Sequence, residues 1–283
     1  CTTPPLSEGI SQLVNLDEAS QQGIVKILLP DTYKKMEVLP ETSFDHPFFG
    51  ILRKLDLSGW HMTSLPEGFE KLVNLERASF MACIKQVQYW PESIVEHPHL
   101  RDATELDLSG AKLVALPERC GEQLVNLTEL SLSCCYKLEQ LPESICNMQS
   151  LTKLDISGSS FNFDPKMSLR ALPEGIGKLV NLEELNLQDC TKLLELPAGF
   201  GGLKSLKVLN LSSSQSWNPM VLHALPEGFG NHTSEGSLVH FVAAPDATCS
   251  TVVRVSSSAL IVMSVAVCTA ECVAPVVRSH AVQ

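Results

Sequence analysis

The 283-residue chain is 44% apolar and 19% charged, with 21 Lys plus Arg against 32 Asp plus Glu and a net charge of −11. That balance excludes a disordered charged tail and argues against a protein that tracks a nucleic-acid backbone, which needs a basic stripe. Aromatics at 6% are too few for a single-strand stacking platform, and ten cysteines fall short of a disulfide scaffold.

The chain opens on Cys1 rather than Met, which reads as a fragment or a processed product; CTTPPLSEGISQ shows no basic end followed by an apolar run, so no secretory signal is visible. LSEGISQLVNL (6–16) introduces a phrase that returns as LPEGFEKLVNL (65–75), LPERCGEQLVNL (116–127), LPEGIGKLVNL (172–182) and LPAGFGGLKSL (196–206). Its proline slot is filled by Pro40, Pro66, Pro91, Pro117, Pro142, Pro173, Pro197 and Pro226, at intervals of 24 to 31 residues. Such self-similarity marks a stacked-repeat architecture. Residues 17–51 are longer and less regular, and 76–100 are a poor copy with Trp90 in the leucine slot. SSFNFDPKMS (159–168) and SSSQSWNPM (212–220) lengthen two repeats and read as surface loops.

Each copy feeds a run spaced L-x-x-L-x-L: Leu52/Leu55/Leu57, Leu75/Ala78/Phe80, Ala103/Leu106/Leu108, Leu127/Leu130/Leu132, Leu151/Leu154/Ile156, Leu182/Leu185/Leu187 and Leu206/Leu209/Leu211. The L-x-L alternation has the period of a short strand with one buried face. The following proline ends pairing and turns the chain. The segment after it, such as 174–182, has helix-like apolar spacing but only room for a short helical or 3₁₀ turn. One such unit cannot shelter its own leucines, so the units must stack.

The unit L-x-x-L-x-L-x-x-(N/C)-x-L-x-x-L-P resembles a leucine-rich repeat. LPExxGxLxNL resembles the intracellular Ras-group repeats and the repeat region of plant-type disease-resistance receptors. LSLSCCYKLEQLP (130–142) and LNLQDCTKLLELP (185–197) carry the cysteine variant typical of the latter. The resemblance implies an α/β fold: a solenoid with a parallel β-sheet on its concave face and short helical or 3₁₀ turns on its convex face. It covers roughly residues 6–231, and the domain is drawn as 1–236, with about seven to eight repeats. The third position beyond the last strand leucine holds Trp60, Cys83, Ala111, Cys135, Ser159, Cys190 and Ser214. In the family this is a ladder that bonds backbone groups of neighbouring coils. That makes Cys83, Cys135, Ser159, Cys190 and Ser214 structural and gives no metal role; Trp60 is out of pattern.

No catalytic constellation emerges. GFGGLKS (199–205) lacks the Gly-Lys pair of a phosphate loop, and the eight histidines have no H-E-x-x-H spacing. Asp56, Asp107 and Asp155 recur with the repeat, which reads as a row on a solvated strand face. Asn126, Asn210 and Asn231 stand in glycosylation sequons and are read as unused. No cofactor is expected.

Alternation places the residues between the leucines on the concave side. Lys54, Asp56, Arg77, Glu105, Asp107, Glu129, Lys153, Asp155, Glu184 and Asn186 are therefore the candidate partner-binding residues. They form a small, polar, mildly acidic floor suited to a protein with a basic surface. The loops carrying Phe161, Phe163 and Trp217 are competing anchors. The expected function is a non-enzymatic recognition or scaffold module in intracellular signalling or defence, placed in the cytoplasm. The alternative is the ligand-sensing portion of a larger nucleotide-binding immune receptor or kinase.

After Ser237 the pattern breaks, and residues 237–283 form a Val-, Ala- and Ser-rich tail with two leucines. Its uncharged run 255–270 is short for a membrane span, which needs roughly 20 residues. The tail reads as β-prone and poorly ordered or as a product of altered splicing or frame; membrane attachment through it is the competing expectation.

Overall fold

The computed structural model describes residues 13, 16–36, 39–60, 68–80, 100–158, 167–212 and 226, and the backbone of 251–254 and 260–263. Seven three-residue strands run parallel in chain order: β1 (Lys54–Asp56), β2 (Arg77–Ser79), β3 (Glu105–Asp107), β4 (Glu129–Ser131), β5 (Lys153–Asp155), β6 (Glu184–Asn186) and β7 (Val208–Asn210). Their register is in phase, so equivalent repeat positions form rows across the sheet, as in Leu106↔Leu130 and Leu154↔Leu185. The middle residue of each strand points into the core, and none of Leu55, Ala78, Leu106, Leu130, Leu154, Leu185 and Leu209 exceeds 3% exposure. This is the stacked α/β solenoid that the repeat arithmetic requires.

What ends each strand was not apparent in the leucine pattern. The last strand residue is Asp or Asn in five coils, and its side-chain oxygen accepts the N–H two residues on: Asp56 from Ser58, Asp107 from Ser109, Asp155 from Ser157, Asn186 from Gln188 and Asn210 from Ser212. These are Asx turns, which curl the chain out of the sheet. A tight turn follows, closed by Trp60 N–H to the Leu57 carbonyl, Ala111 to Leu108, Cys135 to Leu132 and Cys190 to Leu187. Its third residue is left-handed, with φ of 77° at Gly59, 71° at Gly110, 59° at Cys134 and 61° at Asp189. Two of these residues are not glycine, and their amides are tied to the next coil as that of Gly110 is. Cys134 N–H donates to the Ser157 carbonyl at 2.7 Å and Asp189 N–H to the Ser212 carbonyl at 2.9 Å.

On the convex side the LPE segment becomes the expected short turns: 3₁₀ at Phe69–Lys71, Glu143–Asn147, Glu174–Lys178 and Ala198–Gly202, and one α-helical turn at Cys120–Gln123. Pro142, Pro173 and Pro197 stand just before these turns, and their carbonyls accept the N–H of Ile145, Ile176 and Phe200. Glycines let adjacent turns touch through their backbones. A Cβ on Gly177 would lie 1.8 Å from the Gly199 carbonyl oxygen, and one on Gly121 would lie 1.6 Å from that of Ser144. GFGGLKS is thus stacking punctuation with a steric reason.

Residues 17–51 prove to be more than an irregular repeat. They form helix α1 (Glu18–Leu28) followed by 3₁₀ turns at Asp31–Lys35, Glu41–Phe44 and Pro47–Ile51. Asp17 caps α1, its Oδ1 accepting the Ser20 amide at 2.8 Å. The helix lies against β1, and Gln22 Nε2 donates to the Lys54 carbonyl at 2.7 Å. A parallel sheet's first strand has unsatisfied edge groups, and α1 covers that edge. Beneath it, Phe44 packs edge-on against Phe49 and Phe69, with ring centroids 4.8 and 5.9 Å apart. Trp60, out of pattern in the sequence, is buried in this same core. It stands in the coil of β1, the first strand among the described residues, and a bulky ring fills space that a small ladder residue would leave open.

Within the tail, Thr251–Arg254 (β8) and Leu260–Met263 (β9) pair antiparallel. Cys83, Ser159 and Ser214, the phrase at 6–16 apart from Leu13 and Leu16, Trp90, the loop anchors Phe161, Phe163 and Trp217, and the rest of 237–283 lie outside the described residues. Among the described residues no helix is long and apolar enough to cross a membrane.

Candidate functional site: the concave trough

The concave face carries a shallow trough of ≈ 320 Å³ that spans β1 to β5. Of the predicted binding residues, Lys54, Arg77, Glu105, Asp107, Glu129, Lys153 and Asp155 line it, with Ala78, Ser79 and Ser131 as its small floor. Asp56, Glu184 and Asn186 sit on the same sheet but outside that lining. Parallel register explains the gathering. The first strand positions form the row Lys54, Arg77, Glu105, Glu129, Lys153, Glu184 and Val208.

The charges in this row are unevenly matched. At the β1 end, Glu18 of α1 reaches over the sheet and pairs with Lys54 and also with Arg77 Nη2 at 2.9 Å. The hydrogen bond from Lys54 and the nearby Arg77 charge hold the Glu18 carboxyl below its ordinary range. At the far end, Lys153 Nζ lies 3.9 Å from Glu184. Between them Glu105 and Glu129 face each other across β3 and β4 with no ion pair among the described residues. Like charges directly opposite on neighbouring strands oppose pairing, while register also sets Arg77 beside Glu105 and Lys153 beside Glu129 without an ion pair to either glutamate.

The second row has a different character. Asp107 and Asp155 are trough residues and also the Asx caps of their strands, and Asp107 Oδ2 accepts a further bond from Ser79 Oγ at 3.2 Å. Serines continue the network: Ser58 with Ser79, Ser109 with Ser131 and Ser157 with Ser133. These half-buried carboxylates are therefore turn-forming, and a lysine at Asp107 or Asp155 would undo the turn together with the charge. Glu105 and Glu129, free of caps, are the cleaner positions at which to alter charge.

The ladder positions that are described lie behind the trough. Cys135 Sγ donates to the Leu108 carbonyl and Cys190 Sγ to that of Ile156, each at 3.3 Å. Burial pushes the Cys135 thiol up to about 12 and raises that of Cys190 further. Burial also lifts Cys120 and Cys146 to about 11. Thiols so disfavoured as thiolates are poor nucleophiles and poor metal ligands at neutral pH. Among the described residues no three His, Cys, Asp or Glu are grouped to hold a metal ion.

Two further ladders were missed from sequence. Asn74, Asn126 and Asn181, the Asn of the three LVNL copies described there, donate side-chain amides to the carbonyls of Gly50, Arg101 and Gln149 in the preceding coil. Asn126 is thus a structural residue with its amide committed, which its reading as a chance sequon did not capture. Thr128 and Thr152 hydroxyls donate to the carbonyls of Thr104 and Thr128, at 2.9 and 3.0 Å. The signal was present: both residue types recur at a fixed distance from the strand.

Comparison with known proteins finds similar repeats elsewhere. The Leucine Rich Repeat family model matches residues 126–148 and 181–203. The chain is 31% identical over 199 residues to "Probable disease resistance protein At4g19520" of Arabidopsis thaliana, covering 65% of this chain and 11% of that protein. It is 31% identical over 90 residues to TMV resistance protein N of Nicotiana glutinosa, covering 32% of this chain and 7% of that protein. The chain therefore spans a small part of the length of these relatives. Among solved structures, a Leptospira interrogans LRR protein aligns at 22% identity and TM-score 0.42, over 73% of this chain and 60% of that one. Toll, in its Drosophila complex with Spatzle, aligns at 23% identity and TM-score 0.46, over 62% of this chain and 25% of that one. Recurrent leucines, in-phase parallel strands and the family match converge: the chain is a leucine-rich repeat protein whose repeats resemble those of plant disease-resistance receptors.

Proposed function

We propose that this chain is a non-enzymatic recognition or scaffold module in defence signalling, acting in the cytoplasm, and that its concave trough receives a protein presenting lysine or arginine side chains. The observation that carries the reading is the Glu105–Glu129 pair, set side by side by the β3–β4 register, with neither carboxylate in an ion pair among the described residues. A basic group from a partner relieves that repulsion, and the small Ser79 and Ser131 let it come close. The non-enzymatic reading is supported by the described carboxylates and thiols, which serve as turn caps and buried ladder rungs.

The test is a pull-down from cell extract with the full chain beside its Glu105→Lys/Glu129→Lys variant, at low salt and at about 0.5 M salt, where exposed pairs are screened. Salt-sensitive capture that disappears in a variant of unchanged Tm is the expected result. Equal capture by both chains moves the site off the trough.

A second reading makes this repeat region the sensing portion of a larger nucleotide-binding receptor or kinase. It is favoured by the resistance proteins matched, of which the segments aligned with this chain cover only 11% and 7%. Sequencing the full-length transcript tests it: a phosphate loop or kinase motif in the same reading frame supports the second reading.

A further inference from the structure

The trough's charge is set partly from outside the sheet. Arg77 stands opposite Glu105 across β2 and β3, so its nearest carboxylate by register is Glu105. Its guanidinium turns the other way instead, to Glu18 at 2.9 Å, and Lys54 joins the same carboxylate. Glu18 can reach both because Asp17 caps α1 and Gln22, one helical turn on, bonds the Lys54 carbonyl, which fixes the helix against the sheet edge. The arrangement gathers two trough cations at one end and leaves Glu105 without them.

The geometry points to Glu18 as a specificity-determining residue: by holding Arg77 and Lys54 at the sheet edge, it keeps Glu105 and Glu129 open to a basic partner. The inference rests on the trough reading above. Without the Glu18 carboxylate, Arg77 turns to its register neighbour Glu105 and Lys54 projects unneutralised into the trough. The β1–β3 half of the trough then loses one negative charge, and its two cations are no longer held at the sheet edge, with the fold intact. Exposed ion pairs of this kind contribute little to stability, so the consequence lies in what the surface attracts.

The experiment measures fluorescence anisotropy of two labelled probes, nona-arginine and nona-glutamate, on the full chain at low ionic strength. Glu18→Gln is expected to weaken nona-arginine binding about 5-fold and to strengthen nona-glutamate binding, with Tm moved by no more than about 2 °C. Adding Lys54→Gln and Arg77→Gln to that variant is expected to restore nona-arginine binding. A purely structural role for Glu18 would weaken both probes together, and that outcome overturns the inference. So does an unchanged response to Glu18→Gln in a chain whose nona-arginine binding is still abolished by Glu105→Lys/Glu129→Lys; the trough reading then survives alone. Nona-arginine binding that is absent, or indifferent to Glu105→Lys/Glu129→Lys, overturns the trough reading and the inference with it.

Discussion

The two ends of the described solenoid solve the same problem by different chemistry. From β3 to β7 each coil is covered by coils before or behind it, and the cover is built from repeated parts: Thr and Asn amide or hydroxyl bonds, Cys thiols on carbonyls, and glycines that let backbones touch. Around β1 there is no preceding strand among the described residues, and the cover is made once, from α1, the Phe44–Phe49–Phe69 cluster and Trp60. Periodic bonds suffice in the interior of a stack, whereas an end needs volume. The same end also delivers Glu18 to the concave face, so the closing element influences the binding surface.

This comparison can be broken by substitution. The largest effect belongs to the unrepeated end. Phe44 is fully buried, and Phe44→Ala is expected to cost about 3–5 kcal/mol, read as a fall in chemical-denaturation midpoint. Next is a matched pair of glycines. Gly177→Ala places a methyl against the Gly199 carbonyl and is expected to cost about 3 kcal/mol. Gly23→Ala, on α1 with open space around it, is expected to stabilise by about 0.5–1 kcal/mol. Equal responses at the two positions would mean the convex turns are not in backbone contact.

Smaller effects report on the ladders. Cys135 and Cys120 are neutral when folded up to about 12 and about 11, whereas an unfolded thiol ionises near 8.5. The unfolded chain therefore loses protons first, and stability falls as pH rises from about 9 toward 11, by up to about 1.4 kcal/mol per pH unit for each such thiol. Cys135→Ser, with an alkoxide-resistant hydroxyl, is expected to flatten that slope in denaturant titrations at pH 8 and pH 10. Asn126→Ala removes one partly exposed amide bond to the Arg101 carbonyl and is expected to cost about 1 kcal/mol, measurable as a Tm shift.

The readable part of the fold was whatever repeats. Leucine spacing located all seven strands and the buried middle residue of each, and the proline phrase located the convex turns. The concave row of candidate residues followed from period two alone. The roles of Asp107, Asp155, Asn186 and Asn210 did not. An Asx cap and a solvated carboxylate look alike in sequence, and the backbone N–H that separates them appears only once the turn is formed. Helix α1 left a legible trace, Asp17 before a helical run with Val25 and Leu28, but it occurs once and so stands outside the repeat pattern.

By itself, then, the sequence determined that these leucines must be sheltered between neighbouring coils, since evenly spaced apolar residues have no other way to leave water. Which carboxylates compensate which cations was decided only by tertiary structure. Glu18 lies 59 residues from Arg77 along the chain and is bonded to it, while Glu105, its neighbour by register, is not. Charge pairing depends on distances of a few ångströms between side chains, and those distances are set by how α1 packs on the sheet edge.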